Sequence, residues 1–235
     1  MNSPPGASAR ERLIIALDVP TQTEALKLVR ELSPQVGFFK IGLQLYTAGG
    51  PEIVRAILAT GAKVFLDLKL HDIPNTVGKA VESAGRLGVQ MLTIHLSGGE
   101  EMIRAAFDGR QHNMSILGVT VLTSASEQTL RETGVSGKIS NHVLRLAKLG
   151  VTTGIDGVVA SPHEIQMLRA EFGDQMKIVV PGIRPTWSEA GDQKRVLTPR
   201  EAFQNGADYL VIGRPIIAHP SPRAAVAKIL GELSA

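Results

Sequence analysis

A single (β/α)8 barrel is the fold class predicted by this chain, and three observations predict it. Eight short apolar runs, each of strand length, recur along the 235 residues. Segments with helical spacing separate the runs. Polar residues collect at one end of the runs, where each strand would leave a parallel sheet. With 43% hydrophobic residues, the chain is long enough to bury one sizeable core.

The runs are RLIIALDV (12–19), GFFKIG (37–42), KVFLDLK (63–69), VQMLTIHL (89–96), SILGVTVL (115–122), DGVVAS (156–161), KIVVPG (177–182) and DYLVIG (208–213). Each is rich in β-branched residues or Leu, as strands covered on both faces require. Between them, Ala25, Leu28, Val29 and Leu32 fall on one helical face. Val77, Ala80, Val81, Ala84 and Leu87 do the same, as do Ile139, Val143, Leu146 and Ala147. Gly61, Gly88, Gly150 and Gly206 sit where these helices give way to the next strand, positions suited to helix C-caps. Strands alternating with helices give a parallel sheet, and closure into a barrel suits this length. A doubly wound open sheet is the competing arrangement. Residues 1–10, MNSPPGASAR, read as a loose tail without the apolar stretch of a signal peptide, and 11–235 as one domain.

Composition excludes several classes of function. The net charge is only +3, aromatics make up 4%, and the basic residues are scattered, so no stripe for nucleic acid is visible. A weak positive balance suits a small anionic ligand. The absence of Cys excludes disulfides and thiolate metal sites and is compatible with a reducing cytoplasm. No apolar run approaches the ~20 residues of a membrane span. The six His form no H-x-x-x-H pair, and neither G-x-G-x-x-G nor a Walker A motif occurs, so neither metal nor cofactor is expected.

Barrel enzymes draw their chemistry from the C-terminal ends of strands. Asp18 closes the first run, Lys40 the second, Asp67 and Lys69 the third, and His95 the fourth. Thr120 and Thr123 close the fifth, Pro181-Gly182 the seventh and Gly213-Arg214 the eighth. Side chains two apart on a strand share a face. Asp67 and Lys69 therefore point with Lys63 and Phe65 into the barrel, while Val64, Leu66, Leu68 and Leu70 face the helices. An isolated D-x-K can be a structural ion pair. With Asp18 and Lys40 converging on the same mouth, it reads instead as a charge network of the kind that shifts pKa values. Asp72, just before Pro74, has two readings: a helix N-cap or a further charge in the site. The glycines ending runs seven and eight, one followed by Arg214, suit a phosphate held by backbone N–H groups and a guanidinium. The connection IRPTWSEAGDQKRVLTP (183–199) far exceeds the usual ~2–6 residues. It reads as a polar excursion or as a lid, with Arg184 and Gln193 as candidate ligand contacts and Trp187 at its tip.

Taken together, these residues resemble the orotidine 5′-phosphate decarboxylase family over nearly the whole chain. LDLKLHDIPNT (66–76) resembles that family's D-x-K-x-x-D signature followed by I-P-N-T. Further matches are K-x-G at 40–42, TVLTS at 120–124, DGVV at 156–159, PGIRP at 181–185 and EAGDQ-x-R at 189–195. The resemblance implies a metal-free, cofactor-free decarboxylase in which Lys69 protonates C6 of the pyrimidine. Asp67 and Asp72 would flank it and Lys40 would complete the array. It further implies ribose contacts from Asp18 and Lys40, and a pyrimidine contact from Thr123. Arg184, Gln193, Gly213 and Arg214 would make phosphate and lid contacts. The chain would be a homodimer in which Asp72, Ile73 and Thr76 enter the neighbouring subunit's site. Two rivals remain open: a Mg²⁺-dependent sugar-phosphate enzyme sharing D-x-K-x-x-D, such as a hexulose-phosphate synthase, and a catalytically silent nucleotide-binding barrel.

Overall fold

The computed structural model describes residues 8–111, 113–188 and 197–234. Eight parallel strands close in sequence order: β1 (Leu13–Ala16), β2 (Phe38–Gly42), β3 (Lys63–Leu70), β4 (Met91–His95), β5 (Ser115–Val119), β6 (Gly157–Val159), β7 (Lys177–Pro181) and β8 (Tyr209–Ile212). The open sheet is excluded because β8 pairs with β1, Leu210 opposite Leu13 and Ile212 opposite Ile15. Each expected run holds one strand.

The surrounding helices are α1 (Ala9–Arg12), α2 (Gln22–Leu32), α3 (Leu43–Leu58), α4 (Pro74–Leu87), α5 (Gly99–Asp108), α6 (Glu127–Glu132), α7 (Ile139–Thr153), α8 (Ile165–Phe172), α9 (Pro199–Gln204), α10 (Arg214–Ile217) and α11 (Pro222–Ser234). None is long and apolar enough to cross a membrane. Two expectations about boundaries change. Part of the expected tail is helical, because α1 begins at Ala9, with the Glu11 carboxylate accepting from the Ser8 N–H at 3.0 Å. Helix α7 continues through Gly150 and is capped by Gly154 at φ 88°. Gly150 serves packing instead: a Cβ there would stand 2.4 Å from Ile155 Cδ1.

Strand parity sorts the core into two layers. Ile14, Ala16, Phe38, Phe65, Met91, Leu117, Val179 and Val211 fill the barrel interior. Leu13, Ile15, Phe39, Val64, Leu66 and Leu92 lie outside it, beneath the helices. The interior is thus plugged by apolar side chains below the level at which the inward polar residues emerge.

The opposite end is held by carboxylates. Asp156, just before β6, accepts two bonds from Arg110 (3.0 and 2.9 Å) and one from the Ile116 N–H (2.8 Å). Asp208, just before β8, accepts from the Ile178 N–H at 2.7 Å and pairs with Arg169. Each carboxylate ties down the start of the neighbouring strand. Asp156→Ala orphans a strand amide and a guanidinium, a loss of about 2–3 kcal/mol. At about 2–4 °C per kcal/mol for a chain of this size, calorimetry should show Tm falling by about 4–12 °C. Ligand binding at the other end of the barrel is expected to be unchanged.

Candidate active site

A cavity of about 230 Å³ opens at the C-terminal ends of the strands. Asp18, Lys40, Asp67, Lys69, Thr123, Arg184, Gly213 and Arg214 all line it, so the fold brings together eight of the residues singled out from the sequence. Its floor is Ala16, Phe65, Val159 and Val211, the top of the interior plug.

Four charges form a continuous alternating chain across one wall. The Lys40 ammonium lies 3.1 Å from Asp18 Oδ1 and 3.6 Å from Asp67 Oδ2. The Lys69 ammonium lies 2.8 Å from Asp67 Oδ1. Lys40 and Asp67 are nearly sealed from solvent, with side chains 10% and 13% exposed, whereas Lys69 at 30% is open to the cavity. Pairing is what permits this burial, since an isolated buried ion would cost several kcal/mol. Burial alone would push the Asp67 carboxyl up; the Lys40 and Lys69 charges and hydrogen bonds from Lys69 and Thr93 more than offset it and hold Asp67 below the usual carboxylate range. Asp67 is therefore ionised throughout the neutral range. Gly42 leaves room for the array, because a Cβ there would sit 2.9 Å from Lys40 Nζ.

The backbone of β3 is distorted where it carries these groups. Leu66 pairs with Leu92 and Leu70 with Ile94, so Asp67, Leu68 and Lys69 stand opposite Thr93 alone. Lys69 has φ 50° and is the one non-glycine residue with positive φ among the described residues. That conformation costs a lysine roughly 1–2 kcal/mol. Bonds involving charged groups return about 1.5–3 kcal/mol each, which is enough to hold Lys69 in this conformation. Strand β4 also carries His95 beside the site. Its imidazole is half-buried and lies 5.4 Å from the His71 ring, tilted 36° to it; burial first, then His71 and Lys69, lowers its pKa.

The end expected to hold an anion adjoins the Asp18 end of the charge chain: β8 pairs with β1, and a Cβ at Gly213 would stand 3.4 Å from Asp18 Oδ2. Pro181 ends β7 and Gly182 follows it, Gly213 and Arg214 follow β8, and Arg184, buried at 9% exposure, lines the cavity. Of the long connection, residues 189–196 lie outside the described residues, and with them Gln193 and the EAGDQ-x-R match. Trp187 is corrected from its expected place at a lid tip. It stands at the foot of the connection, edge-on to His219 at 5.5 Å, with the Lys228 ammonium 5.4 Å from its ring centre.

Asp72, Ile73 and Thr76 do not line the cavity of their own chain, and all three are exposed. The N-cap reading of Asp72 fails: Ile73 occupies the cap of α4, Pro74 begins the helix, and among the described residues the Asp72 carboxylate accepts from the adjacent Ile73 N–H alone, at 2.7 Å. Ile73 is 66% exposed, a large apolar side chain in water at the rim.

Comparison with known proteins matches residues 11–229 to the model of the orotidine 5′-phosphate decarboxylase / HUMPS family. The chain belongs to that family. Among curated orotidine 5′-phosphate decarboxylases, that of Geotalea daltonii is 48% identical, covering 97% of this chain and 98% of its own. That of Opitutus terrae is 50% identical over 94% of this chain and 97% of its own. The crystal structure of orotidine 5′-phosphate decarboxylase from Lactobacillus acidophilus superposes with a TM-score of 0.86 at 35% identity, covering 96% of this chain and all of the other. The orotidine 5′-phosphate decarboxylase / HUMPS model spans the charge chain and the loops after β7 and β8 among the described residues.

Sequence reasoning missed one member of the site, Thr93. It is a short polar residue inside an apolar run, and only its parity, two before His95 on the inward face, could have drawn notice.

Proposed function

We propose that this protein decarboxylates orotidine 5′-monophosphate to uridine 5′-monophosphate and CO₂, the last step of de novo pyrimidine synthesis, without metal or cofactor. The observation that carries the reading is the chain Asp18–Lys40–Asp67–Lys69, whose last member, Lys69, presents an ammonium to the cavity. When the bond between C6 and the carboxylate breaks, its electron pair stays on C6, where no adjacent carbonyl can take up the charge. The Lys69 ammonium stabilises that charge as it grows and then passes its proton to C6. Asp67 keeps the amine protonated and aimed. Both nearby carboxylates, Asp18 and Asp67, already hold ammonium groups, which favours cofactor-free chemistry over a divalent cation at this wall.

One preorganised donor supplies roughly 3–4 kcal/mol, whereas the most demanding enzymes lower barriers by on the order of 20 kcal/mol. The balance comes from the whole array, exclusion of water and binding energy from the remote phosphate. In this reading Arg214, Arg184 and the backbone at Gly182 and Gly213 hold the phosphate, with Gln193 joining them. Asp18 and Lys40 meet the ribose, and Thr123 reads the pyrimidine. Arg214→Ala touches no reacting atom, yet it is expected to lower kcat/KM by about 3–4 kcal/mol in steady-state assays. Unchanged kinetics would remove the phosphate assignment.

The protein acts as a homodimer in this reading, with Asp72, Ile73 and Thr76 completing the partner subunit's site. Three exposed apolar side chains support it: Leu43 (58%), Ile73 (66%) and Leu122 (47%) all follow C-terminal strand ends at the rim. A cytoplasmic location accords with the cysteine-free chain and a nucleotide substrate.

The deciding experiment is incubation with orotidine 5′-monophosphate while its ultraviolet absorbance is followed, with and without EDTA. Equal turnover in both is the expected result. No turnover of orotidine 5′-monophosphate, with EDTA-sensitive turnover of a hexulose phosphate in a parallel assay, would favour a Mg²⁺-dependent sugar-phosphate relative, and nucleotide binding without turnover would favour a silent barrel.

A further inference from the structure

Thr93 is 0% exposed and does not line the cavity, yet its hydroxyl joins two of the site's groups. Its Oγ1 accepts from the Lys69 backbone N–H at 2.9 Å and donates to Asp67 Oδ1 at 2.9 Å. That same Asp67 oxygen accepts from the Lys69 ammonium at 2.8 Å. The bonds close a ring: Thr93 hydroxyl, Lys69 amide, Lys69 side chain, Asp67 carboxylate and back to the hydroxyl. The ring lies at the β3 distortion, where Thr93 alone faces Asp67, Leu68 and Lys69. It also contains the positive-φ residue. The Lys69 N–H is thus taken by a side-chain hydroxyl and not by a strand carbonyl.

We propose that Thr93 is a positioning residue that fixes the left-handed backbone of Lys69 and orients the Asp67 carboxylate, so that the ammonium is presented at one fixed point of the cavity. This rests on the decarboxylase reading above. A hydroxyl meets the demand of the position, because it accepts from an amide and donates to a carboxylate at once. Val has nearly the same shape and can do neither. A Ser retains both bonds and loses only a methyl group. The charged or titratable groups facing Asp67 are Lys40 from β2, Lys69 from β3 and His95 from β4. Removing the Thr93 donor leaves that carboxylate with the two ammonium groups alone.

Thr93→Val and Thr93→Ser are compared with the wild-type enzyme. For Thr93→Val, kcat is expected to fall about 10- to 100-fold, the effect of one hydrogen bond to a charged group. KM and the Kd for uridine 5′-monophosphate should stay within about threefold, since Thr93 touches no ligand. The acid limb of the kcat–pH profile should move up by about half to one pH unit, because a carboxylate that loses a donor protonates more readily. Thr93→Ser should restore kcat to within about threefold of wild type, together with the pH profile. If Thr93→Val does not fold, Thr93→Ala against Thr93→Ser gives the same comparison. Wild-type kcat and pH profile in a folded Thr93→Val variant would overturn the inference. So would equal losses of kcat, nucleotide binding and Tm that Ser does not rescue, which mark a merely structural residue. A wild-type protein with no turnover would instead overturn the functional reading on which the inference depends.

Discussion

Lys69→Ala is expected to lower kcat by about 10⁴-fold or more while the protein remains folded. Two effects multiply. Loss of the proton donor costs about 10²–10⁴, and loss of a preorganised charge beside the developing carbanion costs about 10²–10³. Folding survives because Asp67 keeps partners: Lys40 at 3.6 Å and Thr93 at 2.9 Å still face it. Affinity for uridine 5′-monophosphate should change by less than about tenfold, because the phosphate end is untouched and the product carries no carboxylate for Lys69 to meet. A single-turnover assay and a titration separate the two. A variant that retains more than about a tenth of wild-type kcat would remove Lys69 from its role, and the account of the charge chain with it.

Asp72→Asn is expected to lower kcat by about 10²–10⁴-fold, although Asp72 has no contact with the cavity of its own chain. The decisive form of the test is complementation. When Lys69→Ala and Asp72→Asn subunits are mixed and exchanged, half of the dimers are mixed. Each mixed dimer then holds one site with a native Lys69 and a native partner Asp72. About one quarter of wild-type activity should return from two preparations that are inactive alone, as follows from two-fold symmetry with residues shared across the interface. If activity does not return in a preparation that demonstrably exchanges subunits, each site is built from one chain, and Asp72 needs another explanation. A charge placed at an exposed rim beside a two-thirds-exposed Ile73 makes little sense for an isolated chain. It makes sense if a second copy covers both.

The two ends of the barrel divide the work. At one end Asp156 and Asp208 tie strand starts together, and their loss should cost stability. At the other, the carboxylates of Asp18 and Asp67 hold ammonium groups inside a cavity, and their loss should cost rate. The residue type is the same at both ends; what differs is whether the partner is a strand amide or a cation facing a ligand.

The amino-acid sequence by itself determined the parallel β/α architecture and which residues gather at one end of it. Eight runs rich in β-branched residues or Leu, separated by helical segments, leave a parallel sheet as the way to bury them. Period-two alternation then sends Asp67 and Lys69 inward, because successive side chains on a strand cannot share a face. Clustering of polar residues at one end of the runs located the cavity for the same reason. Only the tertiary structure decided the rest. Barrel closure depends on β8 meeting β1, two segments nearly the whole chain apart. The two-residue excess in β3, the positive φ at Lys69 and the Thr93 ring arise from strand register, which is set by packing between segments and leaves no local pattern. Gly154 in place of Gly150 as a helix cap, and Trp187 at the foot of its loop, likewise depend on what lies opposite in space. Local spacing records which way a side chain points; which groups it meets there is a property of segments far apart in the chain.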